Sequence, residues 1–130
     1  MELDVLLMAD YANVAEGGKL NVMGIFSRVM SGAFPARHPE MVLIMQFSAN
    51  PAEYNTTKKL TVRCLDEDGH KEIITWSRDI PIPEGQGRNI TLNQMLKLHD
   101  VVFPKAGTYR FYVLVNEDAK GDIPLEVIQS

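Results

Sequence analysis

Covalent chemistry in this chain would fall first to Cys64, the only cysteine, which lies in the alternating run Leu60-Thr61-Val62-Arg63-Cys64. A catalytic thiol needs a placed base and surroundings that lower its pKa, whereas a thiol at this position reads as a small core residue. No Gly-x-Ser-x-Gly elbow is present. His38, His70 and His99 stand isolated, without His-x-x-x-His spacing, so a metal site would need three separate segments to converge. Asp66-Glu67-Asp68 and the group Glu117, Asp118 and Asp122 invite a calcium reading. A dedicated calcium loop needs alternating ligands, a later glycine and a closing bidentate Glu, and Gly69 arrives too early. Two acidic loops at one end of a domain could share an ion, but hairpin turn chemistry is the simpler reading. Gly85-Gln86-Gly87 follows Pro81 and Pro83 and opens no helix, so it is not a phosphate cradle. The expectation is no catalytic residue, no metal and no cofactor.

Recognition is the other chemistry available. Trp76 and the tyrosines could stack on a sugar, but one Trp without companions in a plane suits a core or half-buried place better. Ser27 to Glu40 is the more interesting stretch, because it gathers Arg28, Phe34, Arg37 and His38 and carries Pro35 and Pro39. Loops on rigid scaffolds often do the binding, so these four residues are the candidate recognition loop; the plainer reading is a sheet crossover with Phe34 capping the core. Asp10, inside an apolar run, would need a hydrogen-bonding partner if buried.

The elements that must position these residues follow from period-two alternation. Leu3 to Val14 is a strand apolar on both faces at its middle; Glu16-Gly17-Gly18-Lys19 turns it, and Leu20 to Phe26 returns as a hairpin. Val29 to Glu40 lacks alternation and reads as a crossing connection. Met41 to Phe47 is almost wholly apolar and therefore central. Asn50 to Thr57 is a polar loop. Leu60 to Cys64 and Glu72 to Ile80 flank an Asp68-Gly69 hairpin turn. Residues 92–98 could form a short helix, but their length and their Thr and Asn content favour a strand within the run from Ile90. Tyr109 to Val115 and Ile123 to Ile128 complete about eight strands in one domain over residues 1–130.

The 130 residues carry 45% hydrophobic and 23% charged side chains and a net charge of −4, with the 13 basic residues scattered. That is a folded domain without the clustered cations that nucleic acid requires. No apolar run approaches a bilayer span, and the acidic residues around the first apolar run do not suit a secretory signal, so the expected location is the cytoplasm.

Phe103-Pro104-Lys105-Ala106-Gly107-Thr108-Tyr109-Arg110-Phe111 resembles the tyrosine corner of immunoglobulin-like sandwiches, with Phe111 where antibody domains place a cysteine. The resemblance implies that the Tyr109 hydroxyl bonds back to the loop before it. Leu6 to Ala12, with Gly17-Gly18-Lys19-Leu20-Asn21-Val22-Met23-Gly24-Ile25-Phe26 and the pattern from Phe103, is similar to a group of short bacterial β-sandwich proteins of unknown function. That likeness implies a fold and supplies no site residues. The expected architecture is an all-β, immunoglobulin-like antiparallel β-sandwich. The expected role is a non-catalytic binding or assembly module with a protein partner or self-association. Val42 to Phe47, apolar on both faces, must be covered by the second sheet or by another subunit, and a homodimer or larger homo-oligomer is the expected state. The rivals are a small enzyme or metal-dependent hydrolase with a loop-built His and acidic site, and a carbohydrate-binding module.

Overall fold

The computed structural model describes all of Met1–Ser130 and contains nine strands and one short 3-10 turn. The strands are β1 (Glu2–Val14), β2 (Leu20–Ile25), β3 (Arg28–Ser31), β4 (Ala36–Ala49), β5 (Thr57–Leu65), β6 (Glu72–Pro81), β7 (Ile90–Phe103), β8 (Gly107–Val115) and β9 (Asp118–Gln129). One sheet has the order β2-β1-β4-β7 and the other β3-β9-β8-β5-β6. Facing β1-β4-β7 with β9-β8-β5-β6 reproduces the A-B-E and G-F-C-C′ order of immunoglobulin-like sandwiches.

Alternation builds the core. Odd residues of β4 and β8 (Leu43, Met45, Phe47; Tyr109, Phe111, Val113) and even residues of β5 (Leu60, Val62, Cys64) turn inward and are fully buried. Tight turns set the registers. Asn116 and Glu117, both with positive φ, form the two-residue loop between β8 and β9, and Asn116 Oδ1 accepts from Lys59 N–H at 2.9 Å. Residues 92–98 are strand, as the Thr and Asn content suggested.

Ser27 to Glu40 is not one crossing loop. Arg28 to Ser31 pairs with Glu126 to Gln129 as a parallel edge strand, so one ladder departs from an otherwise antiparallel fold and raises the strand count to nine. From Ala36 the chain is already in β4, paired with β7 through Pro39. Prolines hid this strand because they mark loops, yet Pro39 meets the one β7 residue without a ladder pair, Asp100. Asp100 has φ +52, left-handed for a strand residue. Buried positions change parity on both strands there, from Met41 to Ala36 and from Leu98 to Val101.

The hairpin of β1 and β2 does two jobs. The amino-terminal half of β1 (Glu2–Ala9) pairs with β4, and the carboxy-terminal half (Ala9–Val14) pairs with β2. The hairpin lies over the outer face of its own sheet, where Ala9, Ala12, Val42 and Ile44 form a second buried cluster with Leu7, Leu20, Val22 and Met95. The apolar outer face of β4 is therefore covered within the chain, and each of Val42 and Ile44 contributes roughly 1.5–3 kcal/mol by that burial. Asp10 is exposed and needs no buried partner. It stands opposite Gly24, and a Cβ there would meet Asp10 Oδ2 at 2.5 Å, so Gly24 makes room for the carboxylate.

Candidate functional site

The two sides of the sandwich differ. On the β1/β9 side the chain passes from one sheet to the other in two residues: Phe26 N–H donates to the Met8 carbonyl at 3.0 Å, and Ser27 carbonyl accepts from Glu126 N–H at 2.9 Å. The edge left beyond this link is blunted. β1 carries a bulge between Leu3 and Val5, with Glu2 and Asp4 beside it. On β9 the amides of Glu126 and Ser130 point outward to β3; the two-residue period puts position 124 on the same side, and Pro124 has no N–H to offer.

The β6/β7 side presents longer edges, interrupted by a register shift at Ile73 on β6 and by the left-handed Asp100 on β7. β6 and β7 each end their sheet, so ten and fourteen residues of backbone lack an outer neighbour. Between them opens a cleft of about 470 Å³ whose apolar walls are Ile73, Ile74 and Trp76 from β6 and Leu96, Leu98 and Val101 from β7. Lys97, His99 and Asp100 form its rim, and His99 Nδ1 is 3.8 Å from Glu40 Oε1. At one end the Arg78 guanidinium lies over the Trp76 ring, 4.9 Å from its centre, and Nη1 donates to Gln94 Oε1 at 3.3 Å, bridging the two sheets. Asp100 lies on the rim near the other end, before Val101 and Val102. Apolar walls, flanking unpaired backbone and a few polar groups suit an extended peptide.

The candidate recognition residues are not gathered on a loop. Arg28 is on β3, in an exposed ion pair with Glu126 at 3.4 Å. Phe34 packs on the core from the β3–β4 turn, whereas Arg37 and His38 belong to β4. His38 stacks obliquely on Phe26, with ring centres 5.7 Å apart, and its Nε2 is buried without a partner. Trp76 is half-buried, and Arg78 already covers one ring face, leaving a poor platform for a sugar.

The acidic loops lie at opposite ends of the sandwich, not at one. Leu65 pairs with Arg110 at the start of β8, and Leu60 pairs with Val115 at its end, next to Glu117. Asp66 is occupied with its own turn, Oδ1 accepting from His70 N–H at 3.0 Å and Lys71 N–H at 3.1 Å. The Lys71 bond, with that of His70 and nearby Lys105, holds its carboxyl below the usual range against the opposing effect of desolvation. No three His, Cys, Asp or Glu side chains come together as a metal-holding group. Cys64 is wholly buried beside Phe111, and desolvation pushes its thiol up to about 12. The Tyr109 hydroxyl donates to the Lys105 carbonyl at 2.7 Å.

Sequence reasoning missed Arg78, Gln94 and Asp100 as site residues. A signal existed for Asp100, since apolar positions run even at Leu96 and Leu98 and odd at Val101 and Phe103. Nothing in the sequence showed that β6 and β7 would both end their sheets.

A family model described as a family of unknown function (DUF6941) matches residues 4–128, and the chain belongs to that family. No curated protein matches it. Among solved structures it is similar to Pseudomonas fluorescens alkylpurine DNA glycosylase AlkC bound to DNA containing an abasic site analog, at 10% identity and a TM-score of 0.59. The match covers 98% of this chain but 30% of the glycosylase chain, and at that identity the likeness is one of fold.

Proposed function

We propose that the chain is a non-catalytic binding or assembly module of the bacterial cytoplasm, which holds an extended segment of a protein partner in the β6/β7 cleft. The observation that carries this reading is the cleft between two long edge strands. β6 and β7 have no outer neighbour along ten and fourteen residues, and the space between them is walled by apolar side chains from both strands. Pairing with the free backbone would supply affinity, and the Trp76, Leu96 and Leu98 walls would select side chains.

Trp76 is the only tryptophan, so its fluorescence reports on this cleft alone. Random 12-residue peptides displayed on phage would be selected on the full chain and titrated as synthetic peptides. The expected result is selected peptides that shift Trp76 emission and lose binding to the Trp76→Ala protein. Peptides that bind both proteins equally would remove the cleft from the reading. Self-association is the competing occupant. Sedimentation equilibrium showing a dimer with Trp76 shielded from quencher would assign the cleft to a second copy.

A further inference from the structure

Charge at the two ends of the cleft narrows the partner. Arg28, Arg63 and Arg110 each have a carboxylate within ion-pair distance, in Glu126, Glu72 and Asp122. Arg37, Arg78 and Arg88 have none, and of these only Arg78 is positioned, by Trp76 and Gln94, as a guanidinium with unused donors. Asp100 at the other end is exposed, likewise without an ion pair, and held by a left-handed backbone opposite Pro39. Between the ends, Leu96 and Leu98 turn inward while Lys97 and His99 alternate to the outer rim.

Taking the cleft as a peptide site, which is the reading proposed above, we infer that its occupant is an extended segment with a basic residue for Asp100 and an acidic residue for Arg78. Apolar side chains at alternate positions would lie between them. Gln94, which touches Arg78, and Asp100 are six residues apart on β7, about 20 Å of strand, so the partner's two charges should fall about six residues apart. A carboxylate reaching Arg78 would form a charge-assisted, two-pronged contact beside an aromatic wall.

The test uses the phage-selected peptides that shift Trp76 emission. They should carry Asp or Glu and Lys or Arg about six positions apart. Arg78→Gln should weaken such a peptide about tenfold. It should leave unchanged a peptide whose acidic residue is replaced by its amide, and Arg78→Lys should recover part of the loss. Asp100→Asn should act in the same way on the basic residue. Both side chains are exposed, so the variants should fold. Peptides that shift Trp76 emission yet bind Arg78→Gln and Asp100→Asn as tightly as wild type would overturn the charge assignment and leave the binding-module reading standing. Selected peptides that never affect Trp76 would remove both.

Discussion

Asn93 Nδ2 donates to the Gly18 carbonyl at 3.3 Å, joining the tip of the first hairpin to the far edge strand of the same sheet. Asn93 Oδ1 in turn accepts from Gln46 Nε2 at 3.0 Å, so one side chain ties β7 and β4 to the hairpin lying across them. Asn93→Ala should cost about 1 kcal/mol, since these bonds are partly solvated. It should also speed amide exchange in Ala12 to Val22 well before exchange in the β4–β7 ladder rises. Uniform acceleration across both sheets would show that the hairpin is not a separate unit.

Tyr109 is fully buried, its ring 4.9 Å from that of Phe103 and its hydroxyl bonded to Lys105. Burial, more than any neighbour, raises its pKa. Tyr109→Phe removes the donor but keeps the ring, and should cost about 1–1.5 kcal/mol, a fall of about 3–6 °C in Tm. A wild-type melting curve would mean that the bond contributes nothing net.

Cys64 predicts a pH dependence. An unfolded thiol ionises near its ordinary value of 9.0, while the folded one holds its proton to about 12. The unfolded chain therefore binds fewer protons across that window, and stability falls as pH rises from about 9 towards 12. Cys64→Ala should melt lower at pH 7, because of the lost packing, but should lose less stability over the alkaline window than wild type. Native protein should also resist thiol reagents that label the denatured chain fully.

Glu53 predicts the acid side. Burial pushes its carboxyl up, but the Met1 amino group at 2.6 Å, the Asn50 N–H at 3.1 Å and Lys58 at 3.5 Å outweigh it and hold the pKa below 4.5. A depressed pKa stabilises the fold above the ordinary carboxylate value, and that stability is lost as pH falls through the lower folded value. Urea midpoints measured from pH 6 to pH 2 should drop less steeply for Glu53→Gln than for wild type. Parallel curves would show that this cluster does not contribute to acid sensitivity.

Most of the fold was legible because alternation and turn chemistry agree. Met41 to Phe47 announced a central strand, Asp68-Gly69 a hairpin, and Leu60, Val62 and Cys64 one inward face. Two features were not. β3 is four residues long and gains its partner from the opposite end of the chain, so no local pattern marks it. The cover over Val42 and Ile44 pointed to the second sheet or another subunit, because a strand apolar on both faces does not say what packs on it; the hairpin of the same sheet supplies that cover. The site was less legible still. Trp76, with Arg78 over it, and Asp100 border one cleft only because two strands from different sheets end on the same side, a property of topology and not of spacing.

The parallel run of β3 along β9 bears on how the molecule would carry tension. β1 and β9 point the same way along one side, with Leu3 beside Gly121 and the Phe26–Ser27 link binding Met8 and Glu126. Met1 and Ser130 therefore lie at opposite ends. A pull applied between them would slide β9 lengthwise against β3 and β8, stressing every rung of both ladders at once instead of peeling them one by one. Joined end to end with other domains in an assembly, the sandwich would act as a stiff mechanical link, and its rupture force would be set by shear.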